Sequence, residues 1–128
     1  MNWNDEEKCL GAVRSNGWAL EFVKCQTEEI RLEAVKRTGL VLKYAKQQTE
    51  KICLAAVKQN GFALNYVKNQ TEEICLAAIK QNGWALQHAK KQTLELCLEV
   101  VKHKSYAFKF VDVNKFPDVY AYYKLLHS

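Results

Sequence analysis

Cysteine has the widest chemical range of any side chain here, since a thiol can ligate zinc, pair with a second thiol or act as a nucleophile. Four of the five, Cys9, Cys53, Cys75 and Cys97, stand at multiples of 22 residues, with Arg31 interrupting the series. No CxxC pair occurs, and the three histidines, His88, His103 and His127, are scattered, so the ligand spacing of a zinc site is missing. Equivalent positions on neighbouring packed helices lie ~8–10 Å apart, whereas a disulfide needs Cα atoms within roughly 7 Å. The column therefore reads as small, buried, reduced cysteines that pack helix on helix. Cys25 falls outside it and reads as a more exposed thiol. No metal site is expected.

The carboxylates offer no acid–base pair either. Glu6, Glu28, Glu50 and Glu72, with Glu7, Glu29, Glu73 and Glu95 beside them, follow the same step as the cysteines and read as first-turn residues of helices. There is no GxSxG elbow, no phosphate-binding glycine loop and no HExxH. An active site needs one asymmetric constellation, not the same residue five times over. The expectation is a protein that is not an enzyme and carries no cofactor.

The step of 22 belongs to the whole chain. Thr27, Thr49, Thr71 and Thr93 keep it, with Asp5 continuing the series backwards; so do Leu10, Leu32, Leu54, Leu76 and Leu98. Gly17, Gly39, Gly61 and Gly83 do the same, with Ser105 replacing the fifth. Residues 49–70 and 71–92 share 15 of 22 positions. Five copies result, at about 5–26, 27–48, 49–70, 71–92 and 93–114, followed by a cap at 115–128, all in one domain.

Each copy predicts two short helices. Thr71 is an N-cap, Glu72 and Glu73 favour the positive end of the dipole, and Ile74 to Ile79 is too broadly apolar to face water on one side. Asn82-Gly83 predicts a helix stop with glycine at positive φ. A second helix then carries Trp84, Ala85, Leu86 and Ala89, ending near Lys90. Pairs this small bury their apolar surface only by stacking, so the expected fold is all-α, an α-solenoid of five helix-turn-helix repeats plus a C-terminal capping helix. Pro117 opens that helix, and Val119, Tyr120, Tyr123 and Leu126 are spaced to cover the last repeat. At the other end, Lys8 and Gly11 suit an exposed outer face.

Apolar residues make up 48% and charged residues 26%, which excludes disorder, and no run reaches the roughly 18 apolar residues of a membrane span. The acidic start lacks a signal-peptide profile, so a cytoplasmic protein with no membrane partner is expected. A net charge of +5 permits an acidic partner without demanding one.

The strings Ile52-Cys53-Leu54-Ala55-Ala56-Val57-Lys58-Gln59-Asn60-Gly61-Phe62-Ala63-Leu64 and Ile74 to Leu86 resemble a tandem helical-repeat family, a domain of unknown function of giant DNA viruses of amoebae and some intracellular bacteria. The resemblance runs from Asp5 to about Val111 and is degraded in the first and last copies. It implies a viral or effector setting, with host-cell cytoplasm as the location, and no chemistry.

Three ladders could bind a partner. Arg14, Lys36, Lys58, Lys80 and Lys102 end the first helices; Lys24, Lys46, Lys68 and Lys90 end the second, and together they predict a basic edge opposite an acidic one. One aromatic column, Trp18, Leu40, Phe62, Trp84 and Tyr106, reads as core; the other, Phe22, Tyr44, Tyr66, His88 and Phe110, reads as partly exposed. Gln26, Gln48, Gln70 and Gln92, and Asn16, Asn60 and Asn82, read as stitches to the loop of the adjacent repeat. Departures from the consensus set the partner: Arg31, Glu33, Arg37 and Thr38, then His88 and Lys91, then Glu99 and His103. The candidate surface is Arg31, Arg37, Tyr44, Lys58, Tyr66, Lys80, His88, Lys91, Lys102 and His103, and the expected partner is a protein. The alternative is nucleic acid held by the basic edge and aromatic ladder. A homo-oligomer through the terminal faces is also open.

Overall fold

The computed structural model describes residues 5–127. The first four residues, on which the leader expectation partly rests, and Ser128 of the cap lie outside the described residues. Five α-helices alternate with five short 3-10 helices: α1 Glu6–Ser15, η1 Gly17–Phe22, α2 Glu28–Arg37, η2 Gly39–Tyr44, α3 Glu50–Gln59, η3 Gly61–Tyr66, α4 Glu72–Gln81, η4 Gly83–His88, α5 Leu94–His103 and η5 Ser105–Phe110. A sixth α-helix, α6 Pro117–Leu126, closes the chain. No strand occurs among the described residues. Each α-helix packs on the next α-helix and each 3-10 helix on the next 3-10 helix, so the all-α solenoid has two layers with the core between them.

Local chemistry sets each start. The Oγ1 of Thr27, Thr49, Thr71 and Thr93 accepts the amide of the residue three places on, and Asp5 does the same for Glu7 and Lys8. The hydroxyls of Thr27, Thr49 and Thr93 also donate back to a glutamate of the preceding repeat, Thr49 Oγ1 to Glu28 Oε1 at 3.2 Å. Adjacent α-helices thus begin side by side and run in the same direction.

The stops differ from the expectation. No glycine among the described residues has positive φ. The chain leaves α4 through Asn82, extended at φ −155° and ψ 112°, and the Asn82 side chain accepts from Trp84 N to cap η4. Asn16 and Asn60 cap η1 and η3 likewise, so the asparagines act within their own repeat and not across to the neighbour. Glycine is needed for close approach. A Cβ on Gly61 would lie 2.5 Å from Ala78 O, and one on Gly39 2.3 Å from Ala56 O. The second helices are tight 3-10 turns of six residues that end before Ala89, which becomes the C-cap of η4.

The core is a strip of Val, Ile, Leu, Ala and Cys shared by both layers, including Ile52, Val57, Leu64, Ile74, Ile79 and Leu86. In α6, Val119 is buried and Tyr123 stacks on Phe108 with centroids 3.7 Å apart. Leu126, expected to cover the last repeat, is instead 49% exposed, because the helix turns that face outward. Lys8 and Gly11 are exposed as expected.

Candidate interaction surface

Polar side chains stitch both edges of the stack. At the linker edge, each glutamine of the Gln26 ladder brackets the next repeat's chain. Gln48 Nε2 donates to Tyr66 O at 2.7 Å, while Gln48 Oε1 accepts from Lys68 N at 3.0 Å. Gln26, Gln70 and Gln92 repeat this pattern. The thiols of Cys53, Cys75 and Cys97 donate to the same glutamine oxygens at 3.6, 3.6 and 3.5 Å. Burial, then the nearby Glu50 and Glu72, raises Cys53 and Cys75; burial, then Asp112, pushes Cys97 up to about 11 against a lowering by Lys115. Protonated thiols are the form that can donate, so the column is structural and unbridged at these three positions.

At the opposite edge, Gly39 N donates to Gln59 Oε1 and Gly61 N to Gln81 Oε1, each at 2.5 Å. Ser15, Arg37 and His103 stand at this position in the first, second and fifth copies. Gly83 N, facing the fifth repeat, donates instead to Tyr106 Oη at 2.9 Å. Two of the residues singled out as variable thus sit in a structural position.

The candidate surface divides. Arg31 is not on the surface: it is 6% exposed, fills the cysteine column, and donates through Nη1 to Gln26 O at 2.5 Å, with Nε buried and unpartnered. Arg37, Lys91, Lys102 and His103 are exposed; Tyr44, Tyr66 and His88 are half-buried on the 3-10 layer. Lys58 and Lys80 line the outer face of the α layer.

The two aromatic columns interlock instead of separating into core and surface. Trp18 meets Tyr44 edge-on at 6.2 Å, Phe62 meets His88 at 5.8 Å and Trp84 meets Phe110 at 5.6 Å. Trp18 is 40% and Tyr106 49% exposed, so the first column is not core throughout; a 3-10 turn is too narrow to bury both columns. Lys43 lies over Trp18 and Tyr44, and Lys109 over Trp84 and Phe110.

The edges are also differently charged from the expectation. Lys46 and Lys68 lie two residues past their 3-10 helices and share one cavity with Thr49 and Glu50. The second lysine ladder therefore runs along the glutamate edge, which is mixed. The basic edge belongs to the first ladder alone, and there Arg14 is already engaged by Glu29 at 3.8 Å and Glu33 at 3.6 Å.

Between those edges runs a groove that the sequence reading did not identify. One part, about 790 Å³, is lined by Leu32, Lys36, Glu50, Leu54, Ala55 and Lys58 among others. The next, about 450 Å³, is lined by Lys58, Glu73, Leu76, Ala77, Lys80 and Gln81. Lys58 and Glu73 belong to both, so the groove continues across the helices. Its signal lay in the spacing: in α2 to α4 each leucine has a glutamate four residues earlier and a lysine four residues later. Glu50 and Glu73 touch across α3 and α4, and the hydrogen bond and charge of Glu73 raise the Glu50 carboxyl. Among the described residues, no three His, Cys, Asp or Glu side chains come together to hold a metal ion, and no helix is long and apolar enough to cross a membrane.

The profile of a domain of unknown function, DUF4116, matches residues 27–71 and again 71–116. The chain belongs to that family. Each match spans two of the 22-residue repeats, so the DUF4116 unit is a repeat pair, and the degraded first repeat falls outside both matches. No curated protein and no solved structure matches the chain.

Proposed function

We propose that this DUF4116 protein is a non-catalytic scaffold that binds another protein through the outer face of its α layer. The observation that carries the reading is the leucine groove itself, partly buried apolar side chains bordered by Lys36, Lys58 and Lys80, each in the last turn of its helix. Repeats of this kind offer an extended surface that grows with each copy. Catalysis finds no support in side chains that recur with the repeat and are engaged in stitching it. The viral or effector setting and a cytoplasmic location fit such a scaffold.

Nucleic acid fits less well. The lysine row of the groove lies among leucines and glutamates, apart from the aromatics; on the 3-10 layer, where Lys43 and Lys109 do lie over aromatic rings, those rings are engaged with one another. The test is capture of partners from host-cell lysate by the wild-type chain, by Leu54→Arg with Leu76→Arg, and by Trp84→Ala with Phe110→Ala. Loss of bound protein only in the first pair is expected. Recovery mainly of nucleic acid, lost with the aromatic pair and with salt, would replace the protein reading.

A further inference from the structure

The α-layer groove has dimensions and charges that specify its occupant. Glu50, Leu54 and Lys58 follow one another at intervals of four on α3; Glu28, Leu32 and Lys36, and Glu72, Leu76 and Lys80, do the same on α2 and α4. Because the helices run in the same direction, the leucines and the lysines form two parallel rows along the groove; its other wall is Glu50 and Glu73 with Lys51 beside them, while Glu28 and Glu72 accept threonine hydroxyls of the next repeat. Eight residues of helix separate Glu50 from Lys58, about 12 Å at 1.5 Å per residue, and an α-helix with its side chains is ~10–12 Å across. We infer that the groove binds an amphipathic α-helix lying across α2, α3 and α4, with its apolar stripe on Leu32, Leu54 and Leu76, acidic residues along the lysine row and basic residues on the flank that meets Glu50 and Glu73.

Each feature favours that occupant over others. Neighbouring α-helices pack ~8–10 Å apart, so successive leucines meet the partner helix about every six residues, near one contact per two turns. A wholly basic partner would be repelled by the lysine row, and a wholly acidic one by Glu50 and Glu73. The contact between Glu50 and Glu73 leaves two carboxyls facing each other at the groove wall, where a partner lysine or arginine would stabilise both. A polyanion finds no such match, since it would lie against Glu50 and Glu73.

The inference rests on the α-layer reading and narrows it to a partner class. The probe is a synthetic helix of about 20 residues, roughly 30 Å long, with one apolar stripe, glutamates along one flank and lysines along the other. A peptide of the same composition with its charges mixed on both flanks is the control. Exchanging the flanks alone would not serve, because turning the helix end to end restores the match. Calorimetry at physiological salt is expected to show the bipolar peptide binding at least about tenfold more tightly than the control. Lys36→Glu with Lys58→Glu and Lys80→Glu should erase that preference. The corresponding Lys→Gln variant, milder at the helix ends, should reduce it, with circular dichroism checking that both remain folded. Equal binding of the two peptides, or binding by neither, overturns the helix inference. Capture of proteins that still depends on Leu54 and Leu76 would then leave the α-layer reading standing.

Discussion

Gly61→Ala places a Cβ 2.5 Å from Ala78 O and 3.0 Å from Gln81 Oε1. Carbon and oxygen in favourable contact sit about 3.3–3.6 Å apart, so the neighbours must part by roughly 1 Å. Gln81 can turn aside. Ala78 O cannot, because it lies within α4 and accepts the Asn82 amide at 2.9 Å. The gap must therefore open between η3 and α4, where Leu64, Ile74 and Ala78 are buried in one core. Forcing a methyl into such packing costs typically about 1–3 kcal/mol; loosening the Gly61 N bond to Gln81 puts the expectation in the upper half, about 2–3 kcal/mol. For a chain of this length that corresponds to a melting temperature lower by about 6–15 °C, read by circular dichroism and confirmed by the urea midpoint. Gly61→Asn separates this cause from a conformational one. Asparagine tolerates the left-handed region better than alanine, so a turn needing positive φ would prefer Asn, whereas a steric limit makes Asn no better than Ala. An unchanged melt for Gly61→Ala, or a near-normal one for Gly61→Asn, would refute the close-approach explanation.

Gly11→Ala should act in the opposite sense: its Cβ meets nothing within 4 Å in the middle of α1, so a gain of about 1 kcal/mol is expected in the same melts. Gln70→Ala removes bonds to Leu64 O, His88 O and Lys90 N, and should cost ~1–3 kcal/mol while speeding hydrogen exchange at the Lys90 amide. Cys97, held up to about 11 against an ordinary 9.0, stays neutral in the folded chain while the unfolded chain ionises. Its contribution is therefore complete below pH 9 and is lost as pH rises through about 11. Cys97→Ala should fall less steeply than wild type in urea midpoint across that range, and parallel declines would count against it.

The period, the caps and the two-helix unit were legible because each comes from local signals that agree: Thr71 before Glu72 and Glu73, then Ile74 to Ile79. Of the features that depend on the neighbouring repeat, the glutamine stitches were legible and several others were not. Asn-Gly reads as a left-handed stop in isolation, but the glycine answers to Ala78 O in the next copy. Likewise Arg31 looks like a surface charge, and only its packing shows the guanidinium folded against Gln26 O. Aromatic columns on a short helix suggested one buried and one exposed row; the narrower 3-10 turn brings Trp84 against Phe110 of the following repeat. The groove was written at i−4 and i+4 around Leu54, yet its meaning needs the helices to run side by side in one direction, which Thr49 bonding Glu28 makes visible.

Acetylation of lysines with and without the captured partner, read by mass spectrometry, tests the choice of face most directly. Lys36, Lys58 and Lys80 line the groove, whereas Lys43 and Lys109 lie over the aromatic side chains of the 3-10 layer. Binding in the groove predicts that the first three are protected while the other two react as in the unbound chain. Protection of Lys43 and Lys109 with Lys36, Lys58 and Lys80 left reactive would contradict it.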